Sequence, residues 1–160
     1  MNARLAGARD ANRYNEDTVF LKERAKARMF EVTEDEFEEA VRRGIECIPA
    51  RFRDQIDNVA FCMQDEPDAG QRASMVQSEC RGRRELLGLY SGIPLSRRGA
   101  DYGGYSSMPD MITVFKGPHE RMAWSKESLF ENVRKTVVHE VGHYFGMDED
   151  QLRAMGYGSS

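Results

Sequence analysis

The feature that most constrains this chain is the stretch KESLFENVRKTVVHEVGHYF, residues 126–145, set between Ser125 and Gly146. Leu129, Val133, Val137, Val141 and Tyr144 recur at three- and four-residue intervals. That spacing puts them on one apolar stripe of a helix, with Phe130, Val138 and Phe145 beside it. Ser125 has the side chain of an N-cap. Gly146 suits the left-handed residue that ends a helix. The stripe needs a core to face.

The remaining elements are shorter. TEDE, from Thr33 to Glu36, has the form of a capping box. Phe37, Ala40, Val41, Ile45 and Ile48 follow at helical spacing, so an amphipathic helix is expected up to Pro49. ARFRDQI adds a short second helix. NVAFCMQ, ELLGLYSG and DMITVFKG read as strands, with Gly117 and Pro118 closing the third. DEPDAGQRASMVQSECRGRR reads as a flexible connection, and SRRGADYGGYSSMP as a surface loop lacking the spacing of a phosphate loop. A short last helix is expected from Asp148 as cap, with Gln151 as its box partner. Residues 1–29 are polar and of mixed charge; they read as a loosely packed or disordered extension, although TVFLKERAKARMF has the composition of a helix. The main domain is then 30–160.

With 160 residues, 40% hydrophobic and 31% charged, the chain suits one globular domain. A formal net charge of −4 argues against a dedicated nucleic-acid binder, and no apolar run approaches the ~20 residues of a membrane span. Cys47, Cys62 and Cys80 make an odd count without C-x-x-C spacing, which reads as free thiols. Together with the lack of a secretory signal pattern, this makes the cytoplasm the expected compartment.

Chemistry concentrates in the long helix. His139 and His143 are four residues apart, so both imidazoles leave the same face and can approach one metal ion. Glu140 points about a quarter turn away, where it can take a proton from a metal-bound water. Zinc in a catalytic site needs a third protein ligand and leaves the fourth position to water. Gly146 allows a reversal that brings a later residue back. Three residues on stands Glu149, flanked by Asp148 and Asp150.

In order along the chain, TEDEFEEAVRRGIECIP, NVAFCMQDEP, LLGLYSGIPLSRRG, MPDMITVFKGP and RKTVVHEVGHYFGMDEDQLRAMGY resemble the small, minimal zincin-like metallopeptidases. The resemblance spans about residues 31–157. It implies an α+β fold: a three- to four-stranded sheet packed against the H-E-x-x-H helix and an N-terminal helix. It also implies one zinc ion, a peptide or protein substrate, His139 and His143 as metal ligands, and Glu140 as the catalytic glutamate. The family pattern has aspartate where this chain has Glu149. Glu149 is expected as the third ligand; the alternatives are Asp148 or Asp150 in its place, or weak binding through the histidines alone, and helix capping is the competing role for Asp148.

The sequence therefore predicts zinc-dependent peptide hydrolysis, with a peptide added along the edge of a strand, DMITVFKG being the candidate. The alternative is a metal-binding interaction or regulatory module with little or no hydrolysis. Tyr102, Tyr105 and Tyr157 are candidate oxyanion donors but read first as packing or surface residues. His119 reads as a solvated loop histidine. Arg81, Arg83, Arg84, Arg97 and Arg98 read as a solvated basic face, with a substrate carboxylate or nucleic acid as lesser partners.

Overall fold

The computed structural model describes residues 30–77, 85–99 and 108–157. Along these the order is α1 (Glu34–Glu46), α2 (Ala50–Arg53), β1 (Val59–Gln64), α3 (Ala69–Gln77), β2 (Gly88–Ser91), β3 (Asp110–Phe115), α4 (Lys116–Met122), α5 (Lys126–Phe145) and α6 (Glu149–Ala154). A 3₁₀ turn, Leu95–Arg97, follows β2. The fold is α+β, as expected. The predicted extension 1–29 lies outside the described residues.

The helix ends form as the sequence indicates. Thr33 Oγ1 accepts from Glu36 N–H at 3.2 Å and Glu36 returns the bond to Thr33 N–H at 3.0 Å. Ser125 caps α5 by accepting from Ser128 N–H. On α5 the predicted stripe is buried throughout: Leu129, Val133, Val137, Val141 and Tyr144. It meets Phe37, Ala40 and Val41 of α1 and Ile112 and Val114 of β3. Helices α1 and α5 run side by side in one direction, because Lys126 pairs with Glu36 at one end and Gly44 meets Val137 and Arg134 at the other.

The three strands lie in the order β1-β3-β2. β1 pairs with β3 in parallel, Phe61 opposite Ile112. β2 pairs antiparallel, Tyr90 opposite Ile112. This corrects one expectation: DMITVFKG is the central strand, with both sides already paired, so no peptide can add to it. β2 is the edge strand next to α5. Its register fixes which backbone groups remain. Phe115 N–H donates to Leu87 O, so 87 and 115 form a hydrogen-bonded pair. Pairs alternate along an antiparallel ladder, so Gly88 and Tyr90 turn their backbone groups outward.

Two other expectations fail for identifiable reasons. The connection after β1 holds helix α3. Asp68 caps it: Asp68 Oδ1 accepts from Gln71 N–H and Gln71 Oε1 from Asp68 N–H, both at 2.8 Å. That D-x-x-Q box was readable. His119 is not solvated. Gly117 and Pro118 start a helix instead of a loop, since proline is tolerated in a first turn, where its missing N–H costs no helical bond. His119 is thereby fully buried, its ring 5.9 Å from that of Phe37. Among the described residues neither ring nitrogen meets a partner at full hydrogen-bonding geometry.

Burial lowers the pKa of His119 to about 3, and the nearby Leu87 backbone offsets this only in part. Between the unfolded value of about 6.5 and 3, the unfolded chain binds a proton that the folded chain refuses. Stability from this residue is therefore complete above pH ~6.5 and falls as pH drops through that window. His119→Leu should flatten the slope of unfolding free energy against pH between those limits, measured by urea unfolding at several pH values. An unchanged slope would show that His119 is not buried neutral.

Candidate metal centre

The turn that ends α5 builds the site. Gly146 has φ of +88°, a conformation that disfavours any residue with a Cβ. Its N–H donates to His143 O at 2.9 Å, and Met147 N–H donates to Gly142 O at 3.0 Å. This is the Schellman arrangement. It carries the chain back toward the helix it has just left. Asp148 then caps α6, accepting from Gln151 N–H at 2.8 Å while Gln151 accepts from Asp148 N–H at 2.9 Å. Glu149 is the first residue of α6.

Gly142 sets how close α6 lies. A Cβ there would come within 2.3 Å of Leu152 Cδ2. Leu152 is itself buried. The missing side chain lets Leu152 seat against α5, and the seated helix turns Glu149 inward.

Three polar atoms then converge. His139 Nε2 and His143 Nε2 are 3.0 Å apart. Glu149 Oε1 lies 3.1 Å from the first and 3.2 Å from the second. The other imidazole nitrogens face carbonyls: His139 Nδ1 donates to Tyr157 O at 2.8 Å, and His143 Nδ1 to Met147 O at 3.1 Å. Since a carbonyl only accepts, each Nδ1 carries a proton, and in the neutral ring each Nε2 then presents a lone pair. Two lone pairs and a carboxylate aimed at one point repel each other unless a cation lies between them. Ligands about 2.1 Å from a tetrahedral zinc ion are about 3.4 Å apart, so the observed spacing fits such an ion with little adjustment. Carbonyls on the second nitrogens are the usual outer support of metal-binding histidines.

Each neighbouring acid has other partners. Asp148 is the α6 cap. Asp150 is exposed and its Oδ1 accepts from Arg153 at 2.7 Å. The cluster of possible ligands is His139, His143 and Glu149.

Glu140 is buried outside this triangle, 4% exposed. Its Oε2 accepts from Tyr90 N–H at 2.9 Å, one of the outward groups of β2. The edge strand thus touches the glutamate directly. Tyr90 is tied at its other end too, its hydroxyl donating to Asp110 Oδ2 at 2.7 Å. Arg98 also pairs with Asp110 and lies over the Tyr144 ring, 5.0 Å from its centroid. Burial, then the bond to Asp110, raises the Tyr90 hydroxyl well above the ordinary tyrosine value. Neither Tyr90 nor the Tyr157 carbonyl was singled out in the sequence, because both contacts to the motif helix use backbone atoms that any residue has.

Several other candidates are placed elsewhere. The Tyr157 ring lies by Arg134, 5.8 Å from the guanidinium carbon. Arg98 is a buried ion-pair partner instead of part of a solvated basic face, its side chain 12% exposed. Arg97 is exposed. Tyr102, Tyr105, Arg81, Arg83, Arg84 and Cys80 lie outside the described residues. Cys47 and Cys62 are free thiols, and no helix among the described residues is long and apolar enough to cross a membrane.

No curated protein matches the chain. Against known families, residues 56–158 match the zincin-like metallopeptidases. That span includes every strand among the described residues, the H-E-x-x-H helix and the turn carrying Glu149. The chain belongs to the zincin-like metallopeptidase family.

Proposed function

We propose that the protein is a zinc-dependent peptidase in which His139, His143 and Glu149 hold the metal and Glu140 is the general base. The observation that carries this reading is the convergence of two imidazole Nε2 atoms and one carboxylate oxygen within 3.2 Å. When bound, zinc supplies a water acidified to a pKa of about 7 and a Lewis acid for the scissile carbonyl.

The chain's own residues do the rest. Glu149 replaces the aspartate of the family pattern. Its extra methylene is accommodated by placing the residue at the start of α6, where the helix axis points the carboxylate back at α5. Glu140 takes the water proton on Oε1 while Tyr90 N–H holds Oε2, and it then delivers that proton to the leaving amine. The N–H bond fixes the orientation of the carboxylate. A peptide substrate would present its scissile bond beside Glu140 Oε1, because the Tyr90 N–H of β2 is already taken by Glu140 and Gly88 packs against Thr136 and Glu140.

The test is zinc content and cleavage of a peptide library, compared across variants. Glu140→Ala should keep its zinc and lose turnover by at least ~100-fold, the low end of what a general base contributes. Glu149→Ala should weaken zinc binding by more than ~100-fold, above the loss typical of an outer-shell partner. A wild-type protein that takes up zinc but cleaves nothing would favour the interaction-module alternative. One that takes up no zinc would defeat both readings.

Gly142→Ala probes the seat of α6 without touching a ligand. Its methyl group would push Leu152 outward and move Glu149 with it. Zinc affinity should fall by about 10–100-fold, as when an outer support is lost. Titration against a zinc-sensitive chelating dye would measure it. Unchanged affinity would mean that Glu149 is placed by something other than this contact.

A further inference from the structure

The end of α6 repeats the turn that ends α5. Gly156 has φ of +83°, and a Cβ there would meet nothing within 4 Å, so the turn needs glycine for its conformation and not for space. Gly156 N–H donates to Arg153 O at 3.0 Å, and Tyr157 N–H donates to Leu152 O at 2.9 Å. Those two bonds are the Schellman pair again. The first such turn brings Glu149 back to α5, and the second brings Tyr157 back.

Tyr157 then touches α5 at two points. Its carbonyl accepts from His139 Nδ1 at 2.8 Å. Its ring lies 5.8 Å from the guanidinium carbon of Arg134, within the range at which a cation and a ring attract. Arg134 stands five residues before His139, about 7.5 Å along the helix axis. The guanidinium is itself held, since Glu131 accepts from its Nε at 2.8 Å and from its Nη2 at 2.7 Å. A fork gripped at two nitrogens keeps its plane.

This second contact matters because α6 has little else to hold it. Six residues are too few for a helix to persist on its own. Leu152 is the one buried residue of α6, while Gln151, Arg153 and Ala154 are exposed. A single apolar anchor leaves the last turn free to swing, and the Tyr157 carbonyl with it. The ring on Arg134 is a second anchor beyond that turn.

The geometry points to Tyr157 and Arg134 as positioning residues of the metal centre: the ring, seated on Arg134, latches the end of α6 to α5 and thereby holds the carbonyl that orients His139. With the latch open, His139 loses the acceptor that keeps its proton on Nδ1 and its lone pair on Nε2. Neither side chain belongs to the ligand cluster, so both act through His139. The effect on metal affinity rests on the zinc reading of His139, His143 and Glu149, whereas the latch itself does not.

Two readouts keep these apart. In the metal-free protein at about pH 8, where an imidazole is neutral, the ring nitrogen-15 shifts of His139 report which nitrogen carries the proton. Native protein and Tyr157→Phe should show the Nδ1–H form, and Tyr157→Ala a mixture of the two tautomers. Zinc affinity, measured by competition with a chelating dye, should fall about 10–100-fold in Tyr157→Ala, the loss typical of an outer support. It should stay within about threefold in Tyr157→Phe, which keeps the ring face. Arg134→Gln, a change on the surface of α5, removes the other half of the contact and should move both readouts as Tyr157→Ala does. It also decides the matter if circular dichroism shows Tyr157→Ala unfolded. A native tautomer and native affinity in Arg134→Gln and Tyr157→Ala would overturn the latch, and so would an equal loss in Tyr157→Phe. If the tautomer shifts as expected across the variants but the native protein takes up no zinc, the latch stands and the zinc reading fails.

Discussion

The candidate metal centre depends on a helix that stops at Phe145 and reverses. Gly146, at φ +88°, makes that possible, and its consequences run through the whole site. The reversal puts the Met147 carbonyl on His143 Nδ1, which fixes the ring's tautomer and its direction. It starts α6 with Asp148 as cap, and so brings Glu149 back over the helix. At the far end of α6, Tyr157 N–H closes on Leu152 O while the Tyr157 carbonyl accepts from His139 Nδ1. A single turn of chain thus orients both imidazoles and supplies the acid between them. Without that rigidity, three acceptors within 3.2 Å would simply move apart.

Glu140 is fixed from the other direction. Glu140 leaves α5 toward the sheet, where β2 meets it with a backbone N–H. That N–H faces outward only because β2 runs antiparallel to β3 in the register that pairs Leu87 with Phe115. A shift of one residue would turn it into the ladder and leave Glu140 buried without that bond. Asp110 secures the strand further along, holding both the Tyr90 hydroxyl and Arg98. Helix and sheet therefore contribute different parts. The helix and its terminal turn gather His139, His143 and Glu149, while the sheet edge holds Glu140.

Much of this was legible because the signals are local. Ser125, Thr33 and Asp148 each sit three residues before the residue that completes their cap, and all three form caps. The stripe from Leu129 to Tyr144 could be read by spacing alone. Gly146 marked the reversal, and its distance from His143 pointed to residue 149. What escaped was decided between elements distant in sequence. Nothing inside DMITVFKG shows that β1 and β2 close on it from both sides. His119 follows a Gly-Pro pair that usually ends an element, and only the packing of α4 beneath α1 turns that pair into a helix start. Arg98 looks like one of a run of surface arginines until Asp110, twelve residues on, is found buried beside it. The Tyr90 N–H and the Tyr157 carbonyl leave no mark on side-chain composition at all.

The family match begins at residue 56, yet the stripe on α5 does not end its contacts there. Phe37, Ala40 and Val41, from α1, are buried against the same cluster as Val133 and Val137. Gly44 lets α1 approach until a Cβ would stand 3.1 Å from Val137 Cγ2. Removing α1 would return those valines to water, at about 25 cal/mol for each Å² of apolar surface exposed. The helix that carries both histidines would then lose the packing that α1 gives to Val133 and Val137. α1 contributes no residue to the His139, His143 and Glu149 cluster. In this chain the candidate site lies within residues 56–158, while part of the packing behind it comes from the helix that precedes them.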